Sequence, residues 1–503
     1  MGNLVQRIFS KPNVVRRLFS KPTLSNANRT SLVNDQWKGI RPKMFAQTAA
    51  GGIAFMLWFL ACCSYLFGTL YLSPNRHDSF HVLAVDYDGG AIGEAMAAAY
   101  KQLQGDGFFK LIVHSPEEFP TEQDMYQAVW KGDYWGAIAA TEGASNRLSA
   151  AIQGGDAAAT YDPAHALHYV WNQDRYTAFS NSIIGSGMQT LVGATRVAYG
   201  KMNGTQAAQF LNTTDSAAVQ ALLNPISATA TNIQPTTFGA IILLNTVAMA
   251  MPIMQQFFFL LVLNGVAAQH KLYTKMSVLS SLLFRRFSGV LFALGASLCQ
   301  TGFFWAFRES WAVNGNQFVL TWMTFWLLMH IHLLILDSIS TVAPLPVMPF
   351  VVLLWVFLNL ASTLSPIEVQ AGFYHWGYAL PSYNAYSVLV TVWSSGADNR
   401  LYRALPVLFS WWLLANMTTS ATHVRACHLA AKFAQEEDVE LMPKKDEEVG
   451  GNAGHAEAGA EARPAMSGET TVGRVNSLER VRTVEEMAME RRIVYGPSVP
   501  PFA

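Results

Sequence analysis

The chain has 503 residues, is 51% hydrophobic and only 14% charged, and has a formal net charge of zero. Soluble domains carry about a quarter charged residues, so the deficit points to lipid-facing surface. Zero net charge argues against a protein that neutralises nucleic-acid phosphates with a basic face.

Residues 1–45 form a basic tail, with Arg7, Lys11, Arg16, Arg17, Lys21, Arg29, Lys38, Arg41 and Lys43 opposed by Asp35. A hexamer recurs in it: Arg7-Ile8-Phe9-Ser10-Lys11-Pro12, then Arg17-Leu18-Phe19-Ser20-Lys21-Pro22. Each copy sets Arg three before Ser and Pro two after it, a pattern suited to basophilic kinases. Ser10 and Ser20 are therefore phosphorylation candidates for a phosphoserine-binding partner, whose arginines would pair with the phosphate. Attraction of the tail to anionic lipid, released by phosphorylation, is the alternative.

The apolar run 46–72 is long enough to cross a bilayer core of ~30 Å. It is too long, and too far from the start of the chain, for a cleaved signal peptide. A polar segment, 73–237, follows. Five further apolar stretches crowd into 238–426, near 238–267, 288–307, 318–340, 345–362 and 405–425. The fold class is thus an α-helical integral membrane protein. Six transmembrane helices are expected, with an α/β or α+β outer domain inserted between spans one and two. Lys271, Lys275, Arg285 and Arg286 lie between spans two and three, and Arg425 and Lys432 follow span six. The excess of Lys and Arg puts these segments and the N-terminal tail in the cytosol. Both termini are then cytosolic and the insert faces outside, most simply at the plasma membrane. The sequons at Asn203 and Asn212 are glycosylation candidates on that side.

Within the insert, 80–85, 108–113, 134–140 and 167–171 read as strands. Helices are expected over 91–103, 121–131 and 175–201. The turn Asp86-Tyr87-Asp88-Gly89-Gly90, with Gly93 beyond it, offers two carboxylates at i and i+2. A calcium loop needs six or more oxygens and a P-loop needs a Lys-Ser/Thr pair, so a structural turn is the expectation. Cys62, Cys63, Cys299 and Cys427 form no metal-ligand pattern, and none lies in the insert. No nucleophile elbow occurs either. No catalytic residue, metal or cofactor is expected.

Ionisable groups inside a membrane are costly and so are functional candidates. Span four holds His330, His332 and Asp337; His330 and Asp337 are seven apart on one helical face. A proton relay and plain interhelical hydrogen bonding both fit. Asn245, Gln255 and Gln256 flank Pro252 in span two, where the proline frees a backbone carbonyl. These side chains could line a cavity or join helices. The aromatic segment 365–403 suggests interfacial or re-entrant helices broken at Pro381. Beyond Gln435 the composition is acidic, then rich in Gly, Ala and Glu, and cannot bury a core.

Four runs carry a resemblance: 85–93 (VDYDGGAIG), 130–138 (WKGDYWGAI), 169–176 (YVWNQDRY) and 376–384 (WGYALPSYN). They resemble a fungal membrane family that includes the nitrosoguanidine-resistance protein, built on a domain of unknown function. Its layout is similar to the bacterial phage-infection-protein group and to membrane subunits of type-2 ABC exporters. The resemblance implies export or transbilayer handling of amphipathic or toxic compounds, contact with membrane lipids, and a homodimer. The chain has no Walker A sequence to power such work itself. The alternative is a non-transporting scaffold or regulator of lipid distribution or other surface proteins. Replacing both Ser10→Ala and Ser20→Ala should abolish any phosphorylation-dependent partner; an unchanged set of bound proteins would remove that role.

Overall fold

The computed structural model describes residues 31–236 and 239–441. The hexamer repeat with Ser10 and Ser20, and the chain beyond Leu441, lie outside the described residues. By contacts the chain divides at Leu60/Ala61. In the first unit, the Asn34 side chain accepts the Gln36 N–H and opens a short 3-10 turn, Asp35–Trp37. Helix α1, Arg41–Gly68, follows and runs across the boundary.

The second unit begins its sheet after a 3-10 segment. The strands are β1 His81–Asp86, β2 Lys110–His114, β3 Gly136–Ala140, β4 Leu167–Trp171 and β5 Ala228–Asn232. Their spatial order is β2-β1-β3-β4-β5. β1 runs parallel to both neighbours, with Leu83 between Ile112 and Ala137. β4 is antiparallel to β3 and parallel to β5. Strands covered on both faces should be continuously apolar, and β1 and β3 are: Val82 to Val85 and all of Gly136–Ala140 are buried.

Helices α2 (Ala91–Leu103), α4 (Ala144–Gln153) and α5 (Ser186–Gln209) cover one face over Val82, Ala84, Ile138 and Leu167. Helix α3 (Glu122–Lys131) covers the other through Met125 and Val129, against Leu83, Val85 and Ala137. Thr121 and Asp124 close a capping box at its start, and Gly132, at φ +82°, ends it. Helix α6 (Ser216–Leu223) precedes β5. The expected continuous helix from residue 175 is instead a 3-10 turn ending at Arg175, one short helical turn (Thr177–Phe179), a π segment (Ser180–Gly185) and then α5. The fifth strand went unread because its Ala-Thr-Ala-Thr-Asn pattern is mostly polar and lies at the sheet edge.

The remaining α-helices longer than four residues are α7 (Val247–Gln269), α8 (Val278–Ala306), α9 (Gly315–Ser340), α10 (Met348–Leu364), α11 (Pro381–Trp393) and α12 (Leu401–Leu441). Among the described residues four helices, α1, α7, α8 and α9, are long and apolar enough to cross a membrane; α10 is a shorter apolar helix. In sequence the sheet lies between the first two of these. α9 is the central member, packing on α7, α8, α11 and α12. Helix α8 begins ten residues before the apolar run suggested, so Arg285 and Arg286 stand inside a helix rather than in a basic loop.

Pro252 has no N–H for the Ala248 carbonyl one turn earlier. Gln300 of α8 supplies the missing donor, its Nε2 reaching Ala248 O at 2.9 Å. Helix α11 is too short to cross a bilayer core, at about 20 Å for thirteen residues. Both its ends are satisfied by neighbours. The Asn359 side chain of α10 accepts the Ser382 N–H at 3.2 Å. Gln317 of α9 donates to Val392 O and Trp393 O at 2.8 and 3.1 Å. Replacing Gln300→Leu keeps a similar volume but leaves the Ala248 carbonyl unpaired. We expect a loss of ~1–3 kcal/mol, read as a lower thermal midpoint in detergent.

Candidate functional site: a buried ionic junction and the intramembrane polar groups

The segment Asn172–Thr177 leaves β4 and is buried throughout, which is unusual for a run of such polar residues. Its first four side chains make defined contacts. Asn172 Oδ1 accepts the Asp174 N–H and makes a turn. Gln173 bonds to Asn232 at 2.6 Å and to Thr236 O at 3.1 Å, tying β4 to the chain after β5. Asp174, 2% exposed, accepts the indole N–H of Trp311, from the α8–α9 connection, at 3.3 Å. Its second oxygen has no partner.

Arg175 lies with its guanidinium carbon 3.6 Å from the ring centre of Trp135, which stands just before β3. Its Nε is 3.3 Å from Asp398 Oδ2 and its Nη2 is 3.8 Å from Glu368. Arg400 approaches the same two carboxylates, donating to Asp398 Oδ1 at 3.0 Å. The Tyr386 hydroxyl of α11 donates to the Arg175 carbonyl at 3.4 Å. The Asp398 N–H donates to Trp130 O at 2.8 Å, at the end of α3. Gly132 is required beside it, because a Cβ there would strike the Asp398 carboxylate. Two of the family-like runs, 130–138 and 169–176, therefore converge on one loop, residues 395–400. A cavity of about 20 Å³ among these groups has room for a single water.

Burial pushes the Asp174 carboxyl up to about 7, against the opposing Trp311 hydrogen bond. Burial also lowers Arg175 from its ordinary value, with the Asp398 carboxylate opposing.

The turn residues at 86–93 have a structural use. Asp86 Oδ1 accepts the Asp88 and Gly89 N–H groups at 3.0 Å. Asp88 accepts the Ser145 N–H at 2.8 Å at the start of α4, and also the Ser145 hydroxyl. The Ser145 oxygen in turn accepts the Ile92 N–H at the start of α2. Gly90 occupies the N-cap of α2. Gly93 admits the Asp86 carboxylate where a Cβ would collide with it. Among the described residues no group of three His, Cys, Asp or Glu could hold a metal. Asn203 lies within α5, and Asn212 follows it, its side-chain oxygen accepting from Thr214.

The intramembrane candidates do not converge. His330 accepts the Trp412 indole N–H of α12 at 3.1 Å, and His332 accepts that of Trp355 on α10, also at 3.1 Å. Each Nδ1 is thus an acceptor, so the ring proton sits on Nε2, which has no partner in either ring. Asp337 turns instead to Arg285 of α8, which also bonds to Asn264 of α7 at 2.9 Å. No hydrogen bond links Asp337 to His330. Asn245 donates to Thr363 O and Leu364 O at 3.1 Å, and Gln256 is fully buried without a partner for its amide. The aromatics of residues 365–403 divide. Tyr383, Tyr386 and Trp393 are core residues, whereas Phe373 is 72% exposed.

Between α7 and α8 runs an open groove of about 660 Å³, lined by Gln255, Phe259, Phe287, Leu291, Gly295 and Cys299 among others. Phe259 and Phe292 stack at 3.8 Å along it. The Gln255 amide oxygen is buried without a partner.

Sequence reasoning missed Arg175, Asp398, Glu368 and Arg400. One signal was present: Asn-Gln-Asp-Arg directly follows an apolar strand, where an exposed loop would not need the flanking Trp and Tyr.

The membrane-length apolar helices α1, α7, α8 and α9 point to an integral membrane protein. Residues 52–417 match the family described as "Protein of unknown function (DUF3533)", and the chain belongs to that family. No curated protein matches the chain, and no solved structure does.

Arg175→Met would leave Asp398 and Glu368 short of a buried counter-charge. We expect a loss of ~3–5 kcal/mol. The double variant with Asp398→Asn should recover ~1–3 kcal/mol relative to additivity. Thermal or denaturant unfolding of the four members of that cycle measures it.

Proposed function

We propose that this protein handles amphipathic compounds within the bilayer, moving them between leaflets or out of the cell, and has no enzymatic activity. The observation that carries this reading is the lateral groove between α7 and α8. Its size falls within the range of drug-sized ligand sites, roughly 300–1,000 Å³. It opens sideways from two helices fit to cross a membrane. Its walls are aromatic and aliphatic, and among the described residues no charged side chain lines it. A compound in it would be uncharged over the part held there. A hydroxyl or amide on that compound could meet the Gln255 oxygen, which otherwise stays unsatisfied.

In this reading α10 and α12 complete six spans, the α/β domain faces outside, both termini are cytosolic, and the plasma membrane is the site of action. Resistance to a toxic compound would follow from lowering its concentration in the cytosolic leaflet. Energy would come from a partner ATPase, an ion gradient or passive flow.

Gly295 provides a clean test, because a Cβ added there meets nothing within 4 Å. Gly295→Leu should fill the groove without disturbing the fold. Cells overproducing the wild type should retain less fluorescent phospholipid and uncharged dye than cells lacking it. Gly295→Leu, at equal abundance, should return retention to the level of the deletion. Equal retention in all three strains would sink the transport reading and leave the scaffold.

A further inference from the structure

At the junction two arginines, Arg175 and Arg400, meet two carboxylates, Asp398 and Glu368. That set is neutral in itself. Asp174 stands outside it, with one oxygen on the Trp311 N–H and the other without a partner. Trp311, from the α8–α9 connection, is a neutral donor. Tyr386, from α11, gives its hydroxyl proton to the Arg175 carbonyl. Arg175, its chain neighbour, is already engaged by Asp398, Glu368 and the Trp135 face. Tyr176 packs edge-on against Tyr386 at 5.0 Å, and its hydroxyl has no partner.

A neutral carboxylic acid fits this setting. A carboxylate does not, since it would be a buried charge with one hydrogen-bond donor and no cation of its own. We propose that Asn172–Thr177 is a proton-operated latch between the α/β domain and the helical bundle, closed while Asp174 is neutral and loosened when it ionises. Ionisation has two outlets. It draws Arg175 off Asp398 and Trp135, or it admits water past Trp311. Either breaks contacts that join β3, β4 and the end of α3 to α11 and the 395–400 loop.

The direction follows from linkage. Burial holds the Asp174 carboxyl at about 7 in the closed form, above its ordinary 3.8. The closed form therefore binds the proton more tightly. Its extra stability is fully present below pH 3.8, declines as pH rises toward about 7, and is absent above it. The latch is tight in acid and loose at neutral pH and above. This inference does not rest on the groove or on transport.

The test is amide hydrogen exchange on the full-length protein in lipid nanodiscs, corrected for the intrinsic effect of pH. Peptides covering residues 172–177 and 395–400 are compared at about pH 5 and pH 8. In the wild type both should exchange roughly a hundredfold faster at the higher pH. Asp174→Asn, which keeps the shape and cannot ionise, should be slow at both. The same rise in Asp174→Asn, or no rise in the wild type, overturns the latch. A second variant, Trp311→Phe, removes the donor that favours the carboxylate and should move the wild-type transition to higher pH. An unmoved or lowered midpoint also overturns the proposal, even where Asp174→Asn fails to fold.

Discussion

Burial of the Arg175 guanidinium is the constraint on which the architecture turns. A cation taken from water must be matched by charge and by hydrogen bonds, or the segment carrying it will not stay buried. Here the Trp135 face, Asp398 and Glu368 supply the match, and they come from distant parts of the chain. Trp135 precedes β3, Glu368 follows α10, and Asp398 precedes α12. One buried side chain thereby fixes the sheet, the short helix α11 and the start of α12 in a single register. Asp398 is held from behind as well, through Trp130 and the space left by Gly132. The junction is thus specified by geometry from both sides.

The same rule governs the helical part. Without water, each polar group must find a partner inside the protein. Gln300 answers the carbonyl freed by Pro252, Asn359 answers the first turn of α11, and Gln317 answers its last. Arg285 and Asp337 answer each other, with Asn264 as a further acceptor. These pairs explain why α11 can exist as a buried half-length helix. They also explain why the polar residues of these helices are spread out. Most are spent on satisfying backbone and charge at separate places, which leaves few to line a common channel. Gln255, facing the α7–α8 groove, keeps its amide oxygen unpaired, as do the Gln256 amide and Nε2 of His330 and His332.

Much of the fold was legible because it rests on local signals. The alternation of short apolar runs with helical stretches placed four strands and several helices of the α/β domain within a few residues. The Thr121/Asp124 cap and the Gly132 stop can be read from sequence, because both act within one turn. The fifth strand could not be read. Residues 228–232 offer only Ala228 and Ala230 as an apolar face, too little to mark a strand, and they pair along the edge that β4 presents. The turn at Asp86–Gly93 could be recognised as structural by what it lacks. Its actual use, as a cap for a helix more than fifty residues away, could not.

The sequence by itself determined that the chain carries membrane-length apolar helices with a polar α/β domain between the first two. Hydrophobic run length and strand periodicity are properties of contiguous residues, so no partner need be known. Only the tertiary structure decided which charged and polar groups act together. His330 and Asp337 share a helical face yet bond to different helices. Arg285 reads as a loop charge yet is buried against Asp337. Asp174 and Arg175 are adjacent, yet one is left outside a neutral cluster and the other is at its centre. A buried charge is defined by what surrounds it in space, and here those surroundings come from residues up to more than two hundred positions away.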